Sequence, residues 1–158
     1  GQTIAQNAAR SHAFGAEFEV RYRPLLSLEV FASLGLLKTE FDEGVTLEGD
    51  ISGNAFPEAP AVTATLGGIF RHPTGIFAGA DVTFTDSYYS NADLANEREV
   101  DGFALVNAQL GYEYRNAKIS AYARNIFDKQ YLTSIGAGRT FATIGEGRQL
   151  GLRGTLQF

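Results

Sequence analysis

From Ser11 onward, apolar and polar residues take strict turns. His12, Phe14, Ala16, Phe18, Val20 and Tyr22 share one parity, and Ser11, Ala13, Gly15, Glu17, Glu19, Arg21 and Arg23 the other. A period of two sends successive side chains to opposite faces, so the stretch predicts a strand with one apolar and one polar face. Pro24 and Leu25 predict a tight turn, after which Leu26, Leu28, Val30, Ala32, Leu34 and Leu36 repeat the pattern against Ser27, Glu29, Ser33 and Gly35, with Phe31 and Leu37 breaking it. A third strand sets Val62, Ala64, Leu66, Gly68 and Phe70 against Thr63, Thr65, Gly67 and Arg71. After a short turn at residues 72–75, a fourth sets Ile76, Ala78, Ala80, Val82 and Phe84 against Gly79, Asp81, Thr83 and Thr85. The fifth carries Ala104, Val106, Ala108, Leu110 and Tyr112 opposite Asn107, Gln109, Gly111 and Glu113. Residues 115–117 predict a turn into a sixth strand running from Lys118 to about Tyr131, and the seventh places Leu150, Leu152, Gly154, Leu156 and Phe158 opposite Gly151, Arg153, Thr155 and Gln157.

The connections alternate as strictly as the residues do. Short turns are interleaved with three long polar segments, at about residues 42–60, 86–101 and 132–147. Tight turns on one side and long loops on the other are the pattern of outer-membrane barrels, with the turns periplasmic and the loops extracellular. A soluble antiparallel sandwich also alternates, but its strands average about 5–6 residues where these run to about 10–14. Aromatic residues also gather near the strand ends, at Tyr22, Phe41, Phe70, Phe84, Tyr88, Tyr89, Phe103, Tyr112, Tyr114, Tyr131 and Phe158, where membrane interfaces favour amphipathic rings. The expected fold is all-β: a segment of an antiparallel transmembrane β-barrel of about seven long strands with short periplasmic turns and long extracellular loops.

Composition narrows the function. The 158 residues carry a net charge of −5, which leaves no basic face for nucleic acid. Without cysteine, disulfides, thiolate metal sites and cysteine nucleophiles are excluded. No apolar run reaches the roughly 18 residues of a membrane helix, a test that is blind to membrane strands.

Residues Ala123-Arg124-Asn125-Ile126-Phe127-Asp128-Lys129-Gln130-Tyr131 resemble the N-L-F-D-K-x-Y segment near the end of TonB-dependent outer-membrane receptors, with Ile126 in place of Leu. Asn125, Phe127, Asp128 and Tyr131 carry that motif. The final stretch from Gly147 to Phe158 is similar to the same family's closing loop and strand, and Gly15-Ala16-Glu17 to its G-x-E hairpin. Leu152, Leu156 and the terminal Phe158 resemble the signal read by the barrel-assembly machinery. The resemblance covers essentially the whole chain and implies that residues 1–158 are the C-terminal part of a receptor barrel. The parent's plug domain and energy-coupling box have no counterpart in this sequence. Strand parity agrees, because a complete barrel of this kind has an even number of strands. Residues 1–10 would supply an eighth strand, but Gln2, Gln6, Asn7 and Arg10 give them no lipid-facing stripe.

No catalytic constellation emerges, and an enzyme is not expected. His12 is expected as an interfacial residue near the outer rim, and His72 sits in a turn. Asp42, Glu43, Glu48 and Asp50 in the first loop, and Asp93, Glu97, Glu99 and Asp101 in the second, lack calcium-loop spacing and are expected to be solvated. The Gly136-Ala137-Gly138 run has no following helix to form a phosphate site. Glu17, Glu19, Arg21 and Arg23 face the polar side, where charges are expected to pair across strands.

The resemblance implies that the parent imports a metal chelate of siderophore type, or another bulky nutrient, by energy-coupled transport. No cofactor is expected. The implied partners are outer-membrane lipid, the barrel-assembly machinery, and either the missing plug and barrel strands or other copies of the chain. The alternative expectation is a small stand-alone outer-membrane barrel with a structural or adhesive role, closed by residues 1–10.

Overall fold

The computed structural model describes residues 10–46, 49–90, 98–136 and 141–157. Seven long strands form one antiparallel sheet: β1 (Arg10–Leu25), β2 (Leu28–Glu43), β5 (Val62–Arg71), β6 (Ile76–Thr85), β9 (Phe103–Tyr114), β10 (Ala117–Arg124) and β13 (Gln149–Leu156), in that spatial order. Three two-stranded hairpins occupy the long connections: β3 (Val45–Thr46) with β4 (Gly49–Asp50), β7 (Tyr88–Tyr89) with β8 (Glu99–Val100), and β11 (Leu132–Ile135) with β12 (Ala142–Ile144).

The register keeps the two sequence parities on separate faces. Leu34, Ala64, Phe84 and Ala104 lie opposite one another across four strands, as do Leu110, Ala121 and Leu152 across three. On the other face the same ladder aligns Phe31, Gly67, Asp81 and Asn107. A slip of one residue anywhere would exchange the two sets, so alternation fixes the pairing.

The apolar face is bare. Phe18 is 58% exposed, Leu66 60%, Leu110 59% and Leu152 78%, whereas the only buried hydrophobic residues among those described are Ile51, Phe77 and Val100. A water-soluble domain buries such a face against a second layer, and no described element packs there. Apolar strand faces turned outward with polar faces inward suit a hydrocarbon surround. The soluble-sandwich competitor is thereby set aside.

Every neighbouring pair in the main sheet is antiparallel, so the first and seventh strands run in the same direction. No ladder joins β1 to β13 among the described residues, and the sheet is open. Antiparallel closure therefore requires an odd number of further strands between these edges. The expected eighth strand at residues 1–10 lies outside the described residues except for Arg10, which begins β1.

Several sequence boundaries shift. The first strand continues through Pro24 and Leu25, and the turn falls on Leu26 and Ser27. Proline is tolerated there because the β1–β2 register breaks between Tyr22 and Leu25, leaving Pro24 without a ladder partner. Ala117 belongs to β10 rather than to its turn. The sixth strand ends at Arg124, short of Tyr131, because Asn125 takes a φ of 47° and Asp128 of 54°, left-handed values that no strand accommodates. The three long polar connections each contain a hairpin.

Phe31 breaks the apolar parity for a visible reason. Its ring covers Gly67, directly opposite on β5, where a Cβ would lie 2.5 Å from the ring edge. Phe77 covers Gly111 and Tyr122 covers Gly151 in the same way. All three pairs lie on the polar face, where a ring fills the gap left by the missing side chain and shields the opposing backbone.

Candidate functional site

Two regions can meet a solute: the polar face of the sheet and the joined loops at one end. On the polar face, Glu29 is the second residue of β2 and lies across from the end of β1. Its carboxylate accepts from Arg23 Nε at 2.8 Å and Arg21 Nη1 at 3.3 Å, and Glu29 is only 5% exposed. The cross-strand pairing expected of Arg21 and Arg23 is present. Glu17 and Glu19 stand opposite Gly35 and Ser33 and make no ion pair among the described residues. Further along, Asn107 Nδ2 donates to Asp81 at 2.7 Å, and a depression of about 210 Å³ is lined by Phe31, Asp81, Asn107, Gln109, Tyr122 and Arg153, among others.

The motif residues form a corner at the end of β10. Asn125 is 4% exposed, and its side chain is fully used: Oδ1 accepts from the Lys129 amide at 2.8 Å, while Nδ2 donates to the carbonyls of Lys129 and Glu146 at 3.0 and 3.1 Å. Asparagine is among the few side chains that tolerate its left-handed φ. Asp128 accepts from the Arg148 amide at 2.8 Å, tying the start of the third loop to its end. Tyr131 packs on Phe103, with ring centroids 4.3 Å apart, and Phe127 is 77% exposed. Asn125 and Asp128 share one turn, closed by the Asp128 amide on the Asn125 carbonyl at 2.9 Å, while Tyr131 packs on Phe103 and Phe127 is exposed. Leu152 and Leu156 lie on the apolar face; Phe158 lies outside the described residues.

The loops are joined to one another. The Glu58 amide donates to the Tyr89 carbonyl at 2.8 Å, the Tyr88 hydroxyl to the Thr133 carbonyl at 2.9 Å, and the Ile135 amide to Ser90 Oγ at 2.8 Å. Burial pushes the Tyr88 phenol above its ordinary value, helped by the nearby Glu58 carboxylate and the Tyr131 phenol. Tyr88, Tyr89, Phe103 and Tyr131, expected at the membrane interface, are half-buried within this crown instead, and Phe41 packs against Phe56. Tyr22, Phe70, Tyr112 and Tyr114 do gather at the turn end of the apolar parity.

The acidic residues are dispersed. His12 Nδ1 lies 2.8 Å from Asp42, and Arg10 lies 3.6 Å from Asp42 and 3.4 Å from Glu43, a rim cluster that sequence spacing could not reveal across 30 residues. Asp50 is held below its ordinary value by the Ser52 hydroxyl at 2.6 Å and then by the Ser52 amide. Glu99 and Asp101 are exposed, and Glu48, Asp93 and Glu97 lie outside the described residues, as do Ala137 and Gly138. The His72 imidazole bonds to Thr74 within its turn. No group of three potential metal ligands occurs among the described residues.

Comparison with known proteins agrees with this geometry. The family described as TonB dependent receptor-like, beta-barrel, matches residues 1–126. Among solved structures, the ferric yersiniabactin uptake receptor FyuA of Yersinia pestis superposes with a TM-score of 0.78 at 22% identity, over 94% of this chain and 24% of its own. The ferric citrate transporter FecA gives 0.78 at 23% identity, covering 94% and 24%, and the siderophore receptor PiuA of Acinetobacter baumannii 0.75 at 22%, covering 91% and 21%. At these identities the likeness is one of fold, and the chain spans between a fifth and a quarter of each receptor. By its family match, its open sheet and its inverted faces, the chain belongs to the TonB-dependent receptor-like β-barrels of the bacterial outer membrane.

Proposed function

We propose that this chain is the C-terminal wall segment of an energy-coupled outer-membrane receptor that imports a metal chelate of siderophore type or another bulky nutrient. The observation that carries the reading is the open seven-stranded sheet, with a bare apolar face, a polar face and two edges running the same way. Such a sheet encloses nothing alone and exposes unpaired backbone at both edges, so it needs further strands before it can form a passage. Those strands and a plug are its partners within the parent receptor. Lipid covers Phe18, Leu66 and Leu110, and Leu152, Leu156 and Phe158 present the terminal pattern to the barrel-assembly machinery. Asn125, Asp128 and Tyr131 serve the receptor by fixing the corner from which the third loop departs.

The stand-alone barrel gains no support from the open edges. The test is uptake of radiolabelled ferric chelates by cells carrying or lacking the receptor gene, with and without an uncoupler that discharges the inner membrane. Loss of uptake in the deletion and in the uncoupled cells is expected. Uptake of every chelate tried that is indifferent to the deletion would overturn the reading.

A further inference from the structure

Two guanidinium groups approach the Tyr122 ring on the polar face. Its ring covers Gly151 on β13, and the guanidinium carbons of Arg124 and Arg153 lie 5.8 and 5.7 Å from the ring centroid. The register explains the arrangement. Arg124 is two residues beyond Tyr122 on the same face of β10, while Arg153 is opposite Ser120 and so diagonal to Tyr122. Cations held over a tyrosine ring are fixed in place with their N–H edges still available for a ligand.

Neither arginine makes an ion pair among the described residues, in contrast to Arg21 and Arg23, which share Glu29. The carboxylate of the same depression, Asp81, is engaged by Asn107. Ser120, opposite Arg153, is only 6% exposed and brings a hydroxyl to the same wall. Two guanidinium groups over one ring, with a hydroxyl on the same wall and no carboxylate within ion-pair distance of either, leave N–H donors free for an added anion. Asp81, bonded to Asn107, lies in the same depression but pairs with neither arginine.

We propose that Arg124 and Arg153, held by Tyr122, form an oxyanion-binding site on the polar wall that takes a carboxylate or phosphate group. This deepens the receptor reading and rests on it in one respect, that the polar face lines the lumen. The oxyanion comes either from a free solute or from a carboxylate of the receptor's own chain within the lumen.

The experiment is calorimetric titration of the purified full-length receptor in detergent at low salt with citrate and with inorganic phosphate. It compares the native protein with R124Q, R153Q, the double variant, and R115Q at a turn as control. For a free solute, binding to the native receptor is expected, about tenfold weaker in each single variant, lost in the double variant and unchanged in R115Q. For an internal carboxylate, no heat is expected from either anion, but R124Q and R153Q lower the unfolding midpoint while R115Q leaves it alone. Binding that the double variant retains, or neither binding nor a selective change in midpoint, overturns the proposal. Chelate uptake by the native receptor is scored separately, so a failed anion site and a failed transport reading give different results.

Discussion

Asn107 Oδ1, in the middle of β9, accepts the backbone N–H of Asn125 at 3.1 Å while its Nδ2 donates to Asp81 at 2.7 Å. A single side chain thereby links the polar face of the sheet to the corner from which the third loop leaves. The Ile126 amide adds a bond to the Val106 carbonyl at 2.9 Å, so the corner is sewn to β9 along two consecutive residues.

Removing the corner side chain leaves three backbone groups without their partner. Asn125→Ala is expected to cost about 1–2 kcal/mol, since the part-buried Lys129 amide and two carbonyls lose their partner. Asn125→Asp keeps the acceptor but turns charge toward two carbonyls, and is expected to be as harmful. Limited proteolysis checks this: cleavage within the third loop should accelerate in both variants, and unchanged cleavage would show that the corner does not depend on Asn125.

The Tyr88 phenol joins the second and third loops. Its value is raised above 10.0, so its stabilising effect is fully present below pH 10 and is lost as pH climbs through the higher native value. Absorbance titration of the native protein minus Tyr88→Phe should show one phenol ionising above pH 10. A difference curve centred at or below 10 would contradict the burial. The substitution alone should cost about 1 kcal/mol through the lost bond to Thr133.

Ion pairs at the two ends of β1 differ in the exposure of their carboxylates, since Glu29 is covered and Glu43 is not, while the arginines are exposed at both ends. Glu29→Ala removes the carboxylate shared by two guanidinium groups, and is expected to lower the urea midpoint in detergent micelles more than the rim substitution does. Arg10→Ala acts on an exposed rim, where its partner Glu43 is well solvated, and should change stability by at most about 0.5 kcal/mol. Equal losses would mean that the exposure of these pairs does not govern their strength.

Gly111 offers no room for a side chain. A Cβ would meet the Phe77 ring and the Ile119 carbonyl together. Gly111→Ala must displace backbone as well as a ring, and should cost about 1–3 kcal/mol. Gly154, with open space around it, is the matched control and should tolerate alanine within about 0.5 kcal/mol. Similar losses at both positions would remove the ring-over-glycine pairing as a determinant.

Period-two alternation was enough to read the seven strands, their faces and the side on which the long loops lie, because a bare apolar face leaves one register free of conflict. What stayed hidden depends on contacts across the chain. The corner at Asn125 reads as a continuing strand until its left-handed φ is seen, and the pairing of His12 with Asp42 spans 30 residues. The loop hairpins are two to four residues per strand, too short for alternation to register. The approach of Arg124 and Arg153 to the Tyr122 ring stayed hidden too, since Arg153 comes from the neighbouring strand.

The central claim is that one face of this sheet meets lipid and the other an aqueous interior. The chain has no cysteine, so single cysteines can be placed and spin-labelled at Leu66 and Leu110 and at their neighbours Thr65 and Gln109, in the receptor embedded in outer-membrane vesicles. Collisional relaxation by oxygen and by a water-soluble nickel chelate then reports each label's surroundings. The account predicts oxygen-dominated relaxation at 66 and 110 and nickel-dominated relaxation at 65 and 109; nickel-dominated relaxation at all four positions would contradict it.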